Sequence, residues 1–250
     1  MDYLSDFDGA YVKTRLGKVY CKKHFEGNDK KSILLLHGFG GTTKNWTRLV
    51  SNMPEGFNVY MLDLLGHGMS EAPEIEYRID QQEAAVAEAV SSLGIKNVYL
   101  CGHSYGGWVA ALYAIRKRRM GGLMLIDAAG LESYFKEVDM NTRIGQKKRK
   151  EILDKVSVFN AGRMEVMERI AESNMLEEHI TAEELKNINS PTLIIWGEND
   201  DIIDRRFAEE FRDGIQGSRL FIIKGAKHNP HYTHPKEVAG LLLKFILAGQ

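Results

Sequence analysis

A serine bracketed by glycines, Gly102-His103-Ser104-Tyr105-Gly106, follows the apolar run Val98-Tyr99-Leu100-Cys101 and precedes a helical pattern of small and apolar residues, Gly107 to Arg119. This is the G-x-S-x-G spacing in a strand-to-helix setting. A serine held on so tight a turn needs neighbours that tolerate close backbone approach, which glycine does at the least steric cost. The chemistry it suggests is nucleophilic. A hydroxyl attacks poorly at neutral pH unless a base lies within hydrogen-bond reach, an acid orients that base, and donors await the developing oxyanion. The helix beginning after Ser104 would turn its positive end toward the serine.

Each further part has candidates. For the base, His228 lies in Ile223-Lys224-Gly225-Ala226-Lys227-His228, just past the last apolar run, with His231 and His234 as rivals. For the acid, Asp200 lies in Trp196-Gly197-Glu198-Asn199-Asp200-Asp201, just past the preceding run. Asp201, Asp204 and Asp127 compete with it, the last from the end of the run Leu123-Ile126, and a turn-capping role for Asp200 is the plain structural reading. His37-Gly38-Phe39-Gly40-Gly41 is glycine-rich where backbone donors must face a substrate, and the N–H groups of Phe39 and Tyr105 are the candidate oxyanion pair. The Lys-Ser/Thr of a phosphate loop is missing from that segment. Asp63 and His67, in Asp63-Leu64-Leu65-Gly66-His67-Gly68-Met69-Ser70, read as loop-holding residues. Neither Cys21 nor Cys101 has metal-ligand spacing and the histidines are scattered, so no metal and no organic cofactor are implied. Cys101, at the end of a buried run, reads as a small core side chain and not as a nucleophile.

The elements that would position these groups follow from the rhythm of the chain. Alternation in Ala10-Thr14 and Lys18-Lys22 across Leu16-Gly17 predicts an antiparallel hairpin. Continuous apolar runs at Ile33-Leu36, Val59-Leu62, Val98-Cys101, Leu123-Ile126, Thr192-Trp196 and Leu220-Ile223 predict strands covered on both faces. Helical patterns at Asp80-Leu93, Gly107-Arg119, Arg205-Ile215 and Pro235-Leu247 separate them, which argues a mostly parallel, doubly wound α/β sheet of eight strands. Residues 129–187 lack a convincing strand and carry Tyr134, Phe135, Met140, Ile144, Ile152, Leu153, Phe159, Met164, Met167 and Met175 among many charges. So long an interval predicts a helical cap inserted after the sixth strand, its last helix opened by the capping box Thr181-Ala182-Glu183-Glu184. The core is then 1–128 with 188–250, one domain carrying the 129–187 insertion.

Composition narrows the partners. Lys and Arg number 33 against 34 Asp and Glu, a formal net charge of −1, so no field draws the chain to nucleic acid or an anionic membrane. The acidic, interrupted start Met1-Asp8 lacks the basic and apolar regions of a signal peptide, and the longest apolar stretch, Leu241-Leu247, is broken by Lys244 and too short to span a bilayer. The expectation is a cytoplasmic monomer or homodimer acting on a small molecule, with no stable membrane insertion. The basic run Lys147-Lys148-Arg149-Lys150, with Arg143 before it, reads as a solvated helix face, the alternatives being that it draws an acidic substrate or touches an anionic surface. Arg116-Lys117-Arg118-Arg119 complements the dipole at the end of the elbow helix and needs no partner.

Together, His37-Gly38-Phe39-Gly40, Asp63 through Ser70, Gly102 to Gly106, Gly197 to Asp200 and His228 resemble the α/β-hydrolase superfamily with a helical cap. The resemblance covers nearly the whole chain and is weakest over the cap. It implies Ser104 as nucleophile, His228 as general base, Asp200 as its partner, and Phe39 and Tyr105 as oxyanion donors. Serine at the elbow, where haloalkane dehalogenases and epoxide hydrolases carry aspartate, points away from those activities. Many relatives have proline where Asp204 stands. The implied function is hydrolysis of carboxylic esters of short or medium acyl chains through an acyl-enzyme. Cleavage of carbon-carbon bonds in vinylogous diketones, release of N-terminal proline, and a non-catalytic receptor on the same scaffold are the alternatives.

Overall fold

The apolar runs become strands because each is covered on both sides of one sheet. The computed structural model describes residues 8–24, 30–116, 118, 120–137, 143–176 and 179–248. Strands β1 (Asp8–Lys13) and β2 (Lys18–His24) form the antiparallel hairpin. The others are β3 (Lys31–Leu36), β4 (Phe57–Leu62), β5 (Val98–His103), β6 (Met120–Ile126), β7 (Thr192–Gly197) and β8 (Arg219–Ile223). They assemble in the order β1-β2-β4-β3-β5-β6-β7-β8, antiparallel from β1 to β4 and parallel throughout the rest. Alternate residues of one strand feed opposite cores. Leu34, Leu36 and Leu100 join one buried cluster, Ile33, Leu35 and Cys101 the other.

In chain order the helices are α1 (Thr47–Val50), α2 (Ile79–Ser92), α3 (Tyr105–Ile115), α4 (Glu132–Glu137), α5 (Arg143–Asn160), α6 (Met164–Leu176), α7 (Ala182–Leu185), α8 (Arg206–Gly214), α9 (Pro230–Thr233) and α10 (Pro235–Ala248). Val86, Val109 and Phe211, from α2, α3 and α8, cover one face of the sheet. Leu49, Val238, Leu242 and Ile246, from α1 and α10, cover the other. Helices α4 to α7 occupy the interval between β6 and β7. Its two ends meet where Ile180 N donates to Gly130 O at 2.8 Å and Glu132 N to Ile180 O at 2.9 Å. Thr181 caps α7 with the reciprocal pairing to Glu184 that its sequence predicts.

Two expectations are corrected. Strand β8 is not covered on both faces: it ends the sheet, has one neighbour, and leaves Phe221 and Ile222 exposed. An apolar run reports β-propensity but cannot tell an edge from an interior strand. Arg116 and Arg118 do have a partner: both bind the carboxylate of Glu83 on α2, whose side chain is fully buried, with Arg118 Nε at 2.6 Å. Lys117, Arg119 and Met140 lie outside the described residues. No described helix is long and apolar enough to cross a membrane.

The carboxyl ends of β3 and β5 run level, Leu36 opposite Gly102, and α3 starts against both. A Cβ on Gly106 would lie 2.4 Å from Leu36 O and 2.5 Å from His37 O, and one on Gly102 would lie 2.1 Å from Gly106 O. Backbone cannot retreat from such contacts as a flexible side chain can. Gly106→Ala is therefore expected to lower the unfolding free energy by about 2 kcal/mol or more. Gly240→Ala, in α10 with no atom within 4 Å of its Cβ, should raise it by about 0.5–1 kcal/mol. Urea unfolding of both variants beside wild type checks the contrast.

Candidate active site

The turn that carries Ser104 is strained, and the strain aims its hydroxyl. Ser104 has φ 50° and ψ −116°, outside the conformations that side-chain-bearing residues favour, and it is the N-cap of α3. The turn is fixed from both sides. Ser104 N donates to Ile126 O at 3.0 Å, and Ser104 O accepts from Ala129 N at 3.0 Å and Trp108 N at 3.1 Å. Ser104 Oγ lies 3.0 Å from His228 Nε2, and His228 Nδ1 lies 2.8 Å from Asp200 Oδ2. Loops after β5, β7 and β8 thus bring Ser104, Asp200 and His228 into one line.

Asp200 is buried and its acceptors are filled: Oδ1 takes Ile202 N at 2.8 Å and Ile203 N at 3.0 Å, leaving Oδ2 to the imidazole. The turn-capping reading and the histidine-orienting reading hold together, one for each oxygen. The rivals do other things. Asp201 pairs with Lys227 at 3.2 Å, and Asp204 caps α8 through Arg206 N at 2.9 Å. Asp127 ends β6 at φ 42° and accepts from Gly197 N at 2.8 Å, tying β6 to β7. Its Oδ2 is buried without a hydrogen-bond partner, and burial together with the charge of Asp200 pushes its carboxyl well above the usual carboxylate range. His234 bonds Thr233 Oγ1 beside it.

A layer of histidines supports the line from below. His103 faces the carbonyl oxygen of His228 at 2.7 Å, so its Nε2 carries the proton and donates, and the backbone of the base is tethered to the elbow. This function was not legible in the sequence, where His103 is only the variable residue of G-x-S. His231 stacks between Trp46, with ring centroids at 4.5 Å, and His103, at 4.4 Å, and neither of its nitrogens has a partner. His37 accepts from Leu64 N at 3.0 Å and donates to Gly38 O at 2.8 Å, and Asp63 binds Thr43 N at 2.6 Å and Met69 N at 2.7 Å. Asp63 thus ties two loops together, whereas His67 donates from Nδ1 only to Leu65 O, at 3.1 Å within its own turn, and its buried Nε2 has no hydrogen-bond partner. Burial first, and the neighbouring histidines after it, depress His67 and His231 to about 3 each and His103 well below its usual value. Cys101 is buried and its thiol is pushed up by burial alone; the Cys21 thiol is raised to about 12 for the same reason.

Among the described residues, one trio of His103, Asp127 and His228 brings a donor atom of each within 4.8 Å of the others. Both nitrogens of His228 and Nε2 of His103 are already engaged in the contacts above, so the trio is a hydrogen-bonded support and does not form a ligand set.

Ser104 and His228 open into a cavity of about 390 Å³, which Phe39 and Tyr105 also line. Tyr105 is the first residue of α3, where backbone N–H groups point out of the helix end. Much of the remaining wall comes from the helices between β6 and β7: Tyr134, Phe135, Ile152, Leu153 and Val156. Of the methionines in this interval, Met167 is fully buried and Met164 packs against the same core cluster, so these two serve packing.

Comparison with known proteins follows the same lines. The model of the alpha/beta hydrolase family matches residues 33–241. Lipase 3 of Moraxella sp. (strain TA144) is 26% identical over 83% of this chain and 74% of its own. Monoacylglycerol lipase abhd6-B of Xenopus laevis is 26% identical over 91% of this chain and 78% of its own. Among solved structures, a membrane phospholipase A described as a bacterial virulence factor superposes with a TM-score of 0.83 at 25% identity, covering 98% of this chain and 87% of that one.

The depressed histidines make stability depend on pH. His231 stays neutral in the folded chain down to about 3, whereas in the unfolded chain it takes up a proton near 6.5. Acidification therefore favours unfolding across that window, and stability rises with pH through it. His231→Phe keeps a ring between Trp46 and His103 but removes the titration. Its unfolding free energy should fall less steeply than wild type between pH 6 and 4.5, by about 1 kcal/mol per unit, in urea titrations at each pH.

Proposed function

The chain belongs to the alpha/beta hydrolase family, and from that premise we propose that it is a serine hydrolase cleaving carboxylic esters of short or medium acyl chains. The observation that carries this reading is the line Ser104–His228–Asp200, at 3.0 and 2.8 Å, opening into a largely apolar cavity of about 390 Å³. The lipase names of the two relatives above favour esters over other bonds.

In this reading Ser104 Oγ attacks the ester carbonyl while His228 Nε2 takes its proton. Asp200 holds the imidazole in the tautomer that leaves Nε2 free to accept, and balances the charge it gains. The oxyanion is met by the backbone N–H groups of Phe39 and Tyr105, with the positive end of α3 behind the latter. Collapse expels the alcohol, protonated by His228, and leaves an acyl-enzyme on Ser104. Water, activated by the same imidazole, then releases the acid and restores the hydroxyl. Residues 129–187 serve as a cap over the strand ends, and their aromatic and aliphatic side chains enclose the apolar part of the ester. Proline release would need a carboxylate for the substrate amine. None of Glu165, Glu168 and Glu172 lines the cavity, and Asp201, which does, is paired with Lys227.

The test is turnover of a chain-length series of p-nitrophenyl esters. Ser104→Ala should lose at least about a thousandfold in kcat with its unfolding curve unchanged. Asp200→Asn should lose roughly 10³- to 10⁴-fold, and Asp127→Asn less than about tenfold. Equal losses at Asp127 and Asp200 would move the orienting acid to β6, and turnover that survives Ser104→Ala would overturn the reading.

A further inference from the structure

Two polar atoms in the cavity wall are unsatisfied, and both stand where helix periodicity calls for apolar side chains. On α5, Gly145, Arg149, Ile152, Leu153 and Val156 recur at the spacing of one helix face, and all five line the cavity. Arg149 is thus at the middle of the inward stripe, while its neighbour Lys150 is exposed. The guanidinium meets Glu172 through Nη2 at 3.1 Å, a carboxylate whose side chain is itself 60% exposed. Its Nε is buried and has no hydrogen-bond partner. On α6, Met167, Ile170 and Ala171 form the matching stripe, and Asn174 continues it. Asn174 lines the same cavity, and its Oδ1 is likewise buried without a partner.

A guanidinium N–H removed from water and left unpaired is costly, so a fold keeps one where something else completes it. Apolar packing would be served as well by leucine or methionine at 149. The fork of an arginine matches an anionic oxygen group, and a side-chain amide lining the same cavity can rotate to present its NH₂ to such a group. The surrounding field agrees: among the described residues, Arg149, Lys155 and Lys227 line the cavity against the one carboxylate of Asp201.

Resting on the ester-hydrolase reading, we propose that the substrate is an ester carrying an anionic oxygen group, carboxylate or phosphate, remote from the scissile carbonyl, and that Arg149 Nε and Asn174 bind that group. The apolar wall between Ser104 and Arg149 then holds the chain joining the ester to the anion. The basic run of α5 is a solvated face at Lys147 and Lys150 and a specificity element at Arg149.

The experiment compares three esters of similar length: 4-nitrophenyl heptanoate, mono-4-nitrophenyl adipate, and 4-nitrophenyl 6-phosphonooxyhexanoate. Within each protein the readout is the ratio of kcat/KM for an anionic ester to that for heptanoate, which cancels general losses of activity. In wild type the ratio should exceed about ten for the carboxylate or the phosphate, which tells the two sources apart, and should fall to about one in Arg149→Met and Arg149→Gln. Lys150→Met, on the exposed side of α5, should keep the wild-type ratio. A wild-type ratio near one for both anionic esters, or a ratio that persists in both Arg149 variants, overturns the proposal. Should none of the esters be turned over, the hydrolase reading fails separately and the anion site is judged by binding. Adipate monoethyl ester titrated calorimetrically should bind Ser104→Ala protein about tenfold or more tighter than the Ser104→Ala/Arg149→Met double variant, and equal affinity overturns the proposal.

Discussion

Backbone crowding at the end of β5 is the constraint from which the rest of the site follows. Glycines at 102 and 106 let α3 start in contact with the carbonyls of Leu36 and His37, closer than any Cβ would allow. That approach leaves Ser104 at a φ of 50°, and the conformation persists because its N–H and carbonyl are both held, by Ile126, Ala129 and Trp108. A relaxed turn would lay the hydroxyl along the sheet. The strained one lifts it to where a histidine from the last β-loop can meet it. Strain of this kind costs of order 1–3 kcal/mol, and a sheet buried on both faces is what supplies it.

Beneath the strained turn the site is held by neutral groups. His103, His231, His67 and His37 are buried, and each is driven toward its uncharged form. Charging His103 would set a positive charge against His228, whose ring centroid lies 5.0 Å away, so the burial that keeps His103 neutral keeps the field around Ser104 and His228 simple. Asp127 fits this arrangement. A second ionised carboxylate beside Asp200 would compete for the imidazole, and burial disfavours its charge.

Much of this was legible in the chain. Ser104, His228 and Asp200 could be named because the carboxyl ends of parallel strands fall on one edge, so that residues just after apolar runs must converge there. Phe39 and Tyr105 were reachable by the same reasoning, and both line the cavity. What escaped depends on pairs of residues far apart in sequence. Glu83 and the two arginines are joined only when α2 packs on α3. His103 acquires its role from a carbonyl 125 residues away. The exposed side of β8 follows from its place in the sheet order, which no property of Leu220-Ile223 encodes. Arg149 shares the charge of its basic neighbours, and only the 3.6-residue period separates it from Lys147 and Lys150.

The division between the strand ends and the insertion has a physical basis. In the proposed mechanism the groups that act on the reacting bond must be placed within tenths of an ångström, and Ser104, His228 and Asp200 sit on turns locked to a buried sheet. The groups proposed to recognise the rest of the ligand, Arg149 and Asn174, come instead from α5 and α6. The insertion still has to keep register with the elbow. Asn160 at the end of α5 donates to Gly40 O at 2.9 Å, and a Cβ on Gly40 would fall 2.5 Å from Val156 Cγ1, so α5 lies directly on the Phe39 loop. Arg163 reaches Ser70 O at 2.8 Å and Arg169 reaches Ile75 O at 3.2 Å, fastening the next turn and α6 to the loop after β4. Apolar burial joins the insertion to the same core: Met167 and Ile170 of α6 and Tyr134 of α4 are buried in the cluster that covers one face of the sheet. Moving α6 against the core would therefore expose buried apolar side chains as well as break hydrogen bonds, so the cavity wall is held in register with Ser104, His228 and Asp200.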